Sequence, residues 1–134
     1  MSIHDELTGL VIGCAMRVHR ELGPGFLESV YQNALCVELT QEGIAHSTEE
    51  SISVYYRKTK VGNFCADVLV EKRLILELKS VEKINPVHET QLVNYLNATG
   101  IDIGLLINFG AASLDFRRKY RKSRPAISVD QPSC

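Results

Sequence analysis

The sequence predicts an α/β fold in which helices flank a mixed β-sheet. Apolar residues recur every three or four positions over about the first 40 residues and again over residues 87–98, which is typical of amphipathic helices. Between residues 52 and 79 apolar and polar residues alternate, as they do in half-buried strands. Residues 103–109 form a continuous apolar run, which suits a strand buried on both faces after a crossover helix. This order of helices and strands favours a sheet sandwiched between helices.

The first helix is predicted over Ile3–Leu22 and ends at Gly23-Pro24-Gly25, because glycine suits a helix end and proline cannot continue one. A second helix is predicted from about Leu27 to Glu42. Glu28 would lie in its first turn, where a carboxylate is favoured by the exposed N–H groups. A helix start with a packed Tyr31 on the same face is therefore a sufficient structural explanation of this pair.

Three consecutive antiparallel strands are predicted next. A polar loop from His46 to Glu50 precedes a first strand over Ile52–Tyr56. Arg57–Lys60 together with Gly62-Asn63 is typical of a turn. The turn leads into a second hairpin, Phe64–Lys79.

This hairpin carries the strongest chemical signal of the chain. If Glu71–Arg73 form its loop, the antiparallel register places Asp67 directly opposite Glu77, with Cβ atoms about 4.5–5.5 Å apart. Lys79 lies two residues beyond Glu77 and so points to the same face. The sequence therefore predicts two acids and a lysine on one sheet face. The residues that flank them there are Cys65, Leu69 and Ile75.

Two interpretations of this face are open. A solvated face that carries three charges by chance is the simpler one. Against it, the neighbouring residues are mostly apolar, and burying such a cluster is costly unless the charges are paired or bound to a metal. Two opposed carboxylates also raise each other's pKa unless a cation lies between them. A functional site is therefore the favoured interpretation.

The last part of the domain is predicted to contain a helix and one or two strands. Asn85-Pro86 is placed to begin the helix, in which Gln91 and Tyr95 share a face, although a tyrosine packed into the core would explain that pair equally well. A buried strand follows over Ile103–Phe109, and Leu114–Tyr120 is either a last edge strand or an extended basic segment. We expect a single domain over residues 1–122 and a loose tail over residues 123–134.

Charge is unevenly distributed along the chain. Residues 1–116 hold nine Lys and Arg against fifteen Asp and Glu, a balance of −6, whereas Arg117–Arg124 holds six basic residues and no acid. Such a segment can contact phosphates, although charge runs are more often simply solvated. Arg117 and Arg118 are its candidate substrate contacts.

Cysteine usage and hydropathy restrict the class of protein further. The four cysteines form no CxxC pair, so neither a zinc site nor a disulfide framework is expected. We expect a cytoplasmic protein with reduced thiols. No stretch reaches transmembrane length and the first residues do not form a signal peptide, so no membrane association is expected.

Several of these residues together resemble a known family. Gly25, Glu28 and Tyr31 in the segment GPGFLESVY have the spacing that names the GxxExxY proteins, a family that resembles the PD-(D/E)XK nuclease superfamily. Asp67 matches the first acid of that superfamily, and Glu77-Leu78-Lys79 matches its (D/E)-X-K motif. The pair formed by Gln91 and Tyr95 is similar to the QxxxY motif of the branch that contains RecB-type and Cas4-like nucleases. The resemblance extends from about Leu7 to Tyr120.

The resemblance implies a restriction-endonuclease-like core, with a mixed sheet of about five strands, and a phosphodiesterase site that uses Mg²⁺ or Mn²⁺. Asp67 and Glu77 would hold the metal with Glu28 as a third acid, since these ions prefer oxygen ligands. Lys79 would orient or deprotonate the attacking water and stabilise developing charge. Gln91 and Tyr95 would hold the phosphate or the edge of the site.

Two functions of different class follow. The first is a metal-dependent nuclease acting on DNA or RNA, which the presence of Asp67, Glu77 and Lys79 together favours. The second is a non-catalytic interaction or assembly module that retains the fold, which the acidic body and the lack of a separate substrate domain favour. A homo-oligomer or a protein partner is compatible with either function.

Overall fold

A computed structural model describes residues 3–122 of the chain and the side chains from residue 6 onward. The predicted tail, residues 123–134, and with it Arg124 of the basic segment, lies outside the described residues. The elements in chain order are α1 (Ile3–Leu22), α2 (Glu28–Gln41), β1 (His46–Tyr56), β2 (Thr59–Val70), β3 (Leu74–Lys79), α3 (Pro86–Thr99), β4 (Ile103–Asn108) and β5 (Asp115–Tyr120).

The five strands form one mixed sheet in the order β1-β2-β3-β4-β5. Strands β1 to β3 are successive antiparallel neighbours, β3 and β4 are parallel, and β4 and β5 are antiparallel. The parallel pair is joined through α3, because parallel strands need a crossover connection. The predicted α/β fold with a mixed sheet of about five strands is therefore confirmed, and the segment left open between strand and extended chain is the edge strand β5.

Helices cover both faces of the sheet and enclose two apolar clusters. Helices α1 and α2 pack on one face over alternate residues of β2, β3 and β4, such as Leu76 and Leu105. Helix α3 packs on the other face, where Leu92 and Leu96 contact Ile75. Even-numbered residues of β3 thus face α1 and α2, and odd-numbered ones, which include Glu77 and Lys79, face α3.

The start of β1 and the first turn differ from the sequence prediction. The predicted polar loop His46–Glu50 belongs to β1, because its backbone pairs with the buried end of β2, as in His46 opposite Val70. The turn is only Arg57-Lys58, and the predicted turn residues Gly62-Asn63 lie inside β2. Tertiary pairing overrides local composition in both places.

The alternation along β2 also differs from the prediction. Strict alternation predicts Phe64, Ala66, Val68 and Val70 on the face opposite Asp67 and Cys65. Instead, Ala66 packs in the cluster beneath α3, whereas Val68 packs in the cluster beneath α1 and α2, so the predicted placement of Cys65 on the face of the acids is wrong. The strand therefore changes face between them, at Asp67. The pairing with β1 skips the same place, where Glu49 has a positive φ of 55°. Such irregularities in strands redirect side chains and are frequent beside active sites.

No helix in the described part of the chain combines the length and the apolar character needed to cross a membrane.

Candidate active site

The hairpin between β2 and β3 has the predicted register. Val70 pairs with Leu74 and Val68 with Leu76, with residues 71–73 as the loop. The ladder stops at Val68–Leu76, one position before the two acids. Beyond the end of the ladder, the Leu78 amide donates a hydrogen bond of 2.8 Å to Oδ2 of Asp67. The Asp67 carboxylate thus serves as the acceptor that a backbone carbonyl provides elsewhere in the sheet.

Glu77 is a buried acid beside this carboxylate. It is only 9% exposed, and its Oε1 has no hydrogen-bond partner among the described residues. Burial, reinforced by the charge of Asp67, raises its pKa from 4.5 to about 8, although Lys79 acts in the opposite direction. Without a counter-charge, Glu77 therefore holds a proton at neutral pH.

Asp67 is the less buried acid of the pair. Burial raises its pKa, while the hydrogen bond from Leu78 and the charge of Lys79 lower it. The charges of Glu28 and Glu49 raise it further, which places both acids near Asp67. Four carboxylates thus contribute negative potential at one place, and a cation would relieve their repulsion.

Lys79 is the last residue of β3 and is half-buried on the same face as Glu77. Its charge lowers the pKa of both acids, but within the described part of the chain it forms no ion pair within 4.0 Å with either. The following loop is fixed by the fully buried Asn108, which donates to the Val81 carbonyl at 2.8 Å and accepts from the Val81 amide at 3.0 Å. The position of Lys79 is therefore set by backbone packing rather than by pairing with the acids.

Gly110 allows this loop to approach β4 closely. A Cβ atom there would lie 2.3 Å from the Val81 nitrogen and 2.4 Å from its oxygen, distances that no side chain tolerates. Ser80 continues the connection, because its hydroxyl donates to the Phe26 carbonyl at 2.6 Å. The end of β3 is thus tied both to β4 and to the loop before α2.

Helix α2 approaches the acids through Glu28 and Gln32, which lie one turn apart. Glu28 is in the first turn, as predicted, and is exposed. Gln32 donates to the Asp67 carbonyl at 3.0 Å and to the Glu49 carboxylate at 3.2 Å. Sequence reasoning missed Gln32, although its spacing of four residues from Glu28 placed it on the same face of the helix.

Tyr31 anchors the loop before this helix and is fully buried. Its hydroxyl donates to the Gly23 carbonyl at 2.5 Å and accepts from the Phe26 amide at 3.2 Å. Its ring stacks on Phe109 with a centroid distance of 4.6 Å. The structure therefore has the helix start with a packed Tyr31 that the sequence offered as a structural explanation. Tyr31 also supports the position of Glu28.

Helix α3 contributes Tyr95 to the other side of the acids. The Tyr95 ring stacks on Phe64 at 3.8 Å between centroids, and burial together with the charges of Glu77 and Asp67 raises the pKa of its hydroxyl. Gln91, one turn earlier on α3, is exposed. Tyr95 thus packs against the sheet, as the alternative of a packed tyrosine predicts, and it also lies in the field of the acids.

The candidate substrate residues on β5 are more distant. Arg117 of β5 pairs with Leu106 of β4, which in turn pairs with Glu77 of β3. Arg117 therefore lies on the same face as Glu77, two strands away and about 10 Å from it. Its guanidinium is engaged by Asp115 on its own strand. Arg118 is on the opposite face, with its guanidinium 5.9 Å from the centre of the Phe116 ring. The fold does not bring Arg118 together with the acids.

The residues present fit a divalent cation of the magnesium type. Two adjacent carboxylates are a typical protein contribution to a Mg²⁺ site, where waters and substrate phosphate complete the coordination. The unpartnered Oε1 of Glu77 and its raised pKa are both relieved by a cation. No group of three or more acidic, histidine or cysteine side chains is assembled for metal binding within residues 3–122, so Glu28 is near the pair without completing such a group.

Comparison with protein families matches residues 5–119 to the PD-(D/E)XK nuclease superfamily. Comparisons with curated proteins and with solved structures give no significant match. The matched range begins two residues into α1, ends one residue before the end of β5, and contains Asp67, Glu77 and Lys79. With its mixed five-stranded sheet between helices, the chain therefore belongs to the PD-(D/E)XK nuclease superfamily.

Proposed function

We propose that this chain is a metal-dependent nuclease that hydrolyses phosphodiester bonds in DNA or RNA. The observation that carries the proposal is the buried Glu77, whose unpartnered Oε1 lies beside a second carboxylate, Asp67. An isolated buried acid pair is unfavourable, and perturbed acids in such surroundings are concentrated at functional sites. The membership of the nuclease superfamily supports the same conclusion.

Asp67 and Glu77 would hold Mg²⁺ or Mn²⁺, and Glu28 would approach as a third acid from the start of α2. When bound, the ion supplies Lewis-acid stabilisation of the phosphate and lowers the pKa of water. The chain itself fixes the orientation of Asp67, because the Leu78 amide holds one carboxylate oxygen and leaves the rest of the group for binding. Helix α2 helps to fix the strand irregularity at Asp67 through Gln32.

Lys79 would act on the phosphate rather than on the carboxylates. It forms no ion pair with either acid in the described part of the chain, so its ammonium group is available to a third partner. Located beside the acids, it would orient the attacking water and stabilise the negative charge that develops on the phosphate oxygens. Its backbone, fixed through the Asn108 contacts, keeps this charge in place.

Gln91, Tyr95 and Arg117 would border the substrate path on the α3 face. The pKa of the Tyr95 hydroxyl is raised further above neutral pH, so the hydroxyl is protonated and can donate a hydrogen bond to a phosphate oxygen. Gln91 is exposed one turn away and would offer an amide to the same group. We assign the chain, within the superfamily, to the GxxExxY proteins and the QxxxY branch on the spacing of these motifs.

Two substitutions test the proposal by separating metal binding from chemistry. Lys79→Ala removes no metal ligand, so Mn²⁺ binding should persist while cleavage falls on the order of 10²–10³-fold. Asp67→Ala should abolish both, because Glu77 alone would hold the ion. Lys72→Ala, an exposed lysine in the loop of the same hairpin, is the matched control and should change neither.

The measurements are calorimetric Mn²⁺ titration and cleavage of labelled single- and double-stranded DNA and RNA. Undiminished cleavage by Lys79→Ala would refute the assigned site. Wild-type protein that binds Mn²⁺ but cleaves none of these polymers would refute the nuclease function and leave a metal-binding interaction module.

A further inference from the structure

The turn between β1 and β2 is the most exposed part of the sheet. Every residue from Tyr56 to Asn63 is exposed to solvent, and Tyr56 and Val61 expose 62% and 61% of their surface. We refer to residues 56–61 as the hairpin tip. Neither apolar cluster of the domain includes any of these residues, so packing of the core does not explain their identity.

The hairpin tip is a concentration of positive charge on an acidic domain. Arg57, Lys58 and Lys60 lie within four positions, and residues 51–66 contain no Asp or Glu. None of the three cations forms an ion pair in the part of the chain that the structure describes. An uncompensated cluster of this kind favours an anionic partner.

The basic segment at the end of the domain is different. Arg117, Lys119 and Arg121 are each engaged by a carboxylate, with Lys119 3.2 Å from Glu89 and Arg121 3.0 Å from Asp102. Much of the positive charge that the sequence suggested for phosphate binding is therefore compensated within the domain. The hairpin tip, which the sequence suggested was only a turn, retains its full charge.

The backbone of this turn adopts a left-handed conformation. Arg57 and Lys58 have φ angles of 49° and 65°, the left-handed region that hairpin turns of two residues normally fill with Asn-Gly or Asp-Gly. Side chains with a Cβ atom adopt this region at a cost in free energy. The same geometry occurs at Glu71 and Lys72 in the other turn of β2, where an acid accompanies the cation, so uncompensated charge rather than backbone conformation distinguishes the hairpin tip.

An aromatic ring accompanies the cations. The Arg57 guanidinium lies 5.4 Å from the centre of the exposed Tyr56 ring. Exposed aromatic rings among basic side chains are the usual composition of surfaces that bind single-stranded nucleic acid, because bases stack on the ring while cations contact the phosphates.

The hairpin tip and the acids belong to the same strand. Lys60 and Asp67 are both in β2, seven residues apart, which corresponds to roughly 23 Å of extended chain. One nucleic-acid strand spans that distance with about seven nucleotides, at about 3.4 Å each. A strand with a phosphate at the acids can therefore reach the hairpin tip along β2.

We propose that the hairpin tip is a second contact surface for the nucleic-acid strand cleaved at Asp67 and Glu77, with Arg57, Lys58 and Lys60 contacting phosphates and Tyr56 stacking on a base. The identity of the polymer rests on the proposed nuclease function, whereas the charge and exposure of the tip do not. The surface selects substrates by length, because short fragments occupy the acids without reaching it.

The experiment measures binding of labelled oligonucleotides in EDTA, where cleavage does not interfere. The test variant carries Arg57→Gln, Lys58→Gln and Lys60→Gln. For each phosphate contact removed, the slope of log affinity against log salt concentration should decrease by about 0.7 for single strands and about 0.9 for duplexes. The matched control carries Lys72→Gln and Arg73→Gln in the other exposed turn of β2, and its slope should equal that of the wild type.

Length dependence and turn replacement make the test independent of folding. In Mn²⁺, oligonucleotides of about four nucleotides should be cleaved with equal kcat/KM by the test variant and wild type, and for those of about twelve the variant should have a kcat/KM at least tenfold lower. Replacing Arg57-Lys58 with Asn-Gly should raise the melting temperature, because these residues suit the turn, and still weaken binding of the longer strand. Tyr56→Ala should weaken it about tenfold.

The outcomes separate this inference from the nuclease function. If wild type cleaves and the triple-glutamine variant retains wild-type affinity and salt slope for twelve-nucleotide strands of both DNA and RNA, the hairpin tip is not a binding surface. If wild type binds the longer strands through the tip but never cleaves, the hairpin tip is a nucleic-acid-binding surface and the nuclease function fails. Wild-type protein that binds neither DNA nor RNA overturns both.

Discussion

Replacing Glu77 with glutamine tests the physical basis of the site without any substrate. Glutamine has the same shape as a protonated glutamate and cannot ionise. The pKa of Glu77 is raised from 4.5 to about 8 in the folded chain, which corresponds to as much as about 5 kcal/mol between its two protonation states. We therefore expect Glu77→Gln to stabilise the metal-free protein at alkaline pH.

The sign follows from proton linkage. Because the folded protein binds this proton more tightly than the unfolded chain, its contribution to stability is fully present below pH 4.5 and is lost as pH rises towards 8. The free energy of unfolding of Glu77→Gln should thus differ little from that of wild type near pH 5. Above pH 8 the free energy of unfolding of Glu77→Gln should exceed that of wild type by several kcal/mol, up to about 5.

The assay is urea denaturation in EDTA at pH 5, 7 and 9. Glu82→Gln, which neutralises an exposed acid after β3, is the control and should show no comparable pH dependence. A stability difference for Glu77→Gln that does not increase between pH 5 and 9 would refute the conclusion that this carboxylate is buried and uncompensated.

The same linkage gives an expected result for metal binding. Since Glu77 holds a proton at neutral pH, Mn²⁺ must displace it, and binding at pH 7 should release close to one proton. Calorimetry in buffers of different ionisation enthalpy measures this number. Near pH 9 the release should fall towards zero, and Mn²⁺ should then stabilise wild type but not Glu77→Gln. Proton release that is absent at pH 7 would place the metal elsewhere.

Two further substitutions test the supports of the site. Tyr31→Phe removes the buried hydroxyl that holds the loop before α2 and should lower the free energy of unfolding by about 1–2 kcal/mol, whereas Tyr120→Phe at an exposed position should have no effect in the same urea titration. Gly110→Ala forces a Cβ atom against the Val81 backbone and should cost about 1–3 kcal/mol or more, whereas Gly62→Ala, which meets nothing within 4 Å, should be tolerated. Equal stabilities within either pair would contradict the packing described.

The register of the central hairpin could be predicted from the sequence because its signals are local. Alternation on either side of Glu71–Arg73 leaves one antiparallel pairing that buries both apolar sets, and the structure has that pairing from Val70–Leu74 to Val68–Leu76. The buried run of β4 was equally clear, since both faces of a parallel strand are covered.

The change of face at Asp67 could not be predicted in this way. Period-two alternation assumes an uninterrupted strand, and the irregularity depends on Glu49 in β1 and on the side chain of Gln32 in α2. The two partners are 18 and 35 residues away in the sequence, so no local pattern reports them. The polar composition of residues 46–50 likewise suggested a loop, because their pairing with β2 is a tertiary effect.

The charge of the basic segments was also beyond sequence reasoning. Six cations in Arg117–Arg124 were the larger signal, but the ion pairs of Lys119 with Glu89 and of Arg121 with Asp102 involve residues 30 and 19 positions away. The hairpin tip had fewer cations and a turn-like composition. Only the fold shows which cations remain uncompensated.

The most direct test of the central claim compares wild type with the double variant Asp67→Asn and Glu77→Gln in one cleavage experiment. Both substitutions preserve side-chain shape and remove the carboxylates that would hold the metal. We expect wild type to cleave a labelled oligonucleotide with Mn²⁺ or Mg²⁺ but not in EDTA. The double variant should be inactive under all three conditions. Metal-dependent cleavage at the wild-type rate by the double variant would contradict the assignment of these two acids as the nuclease site.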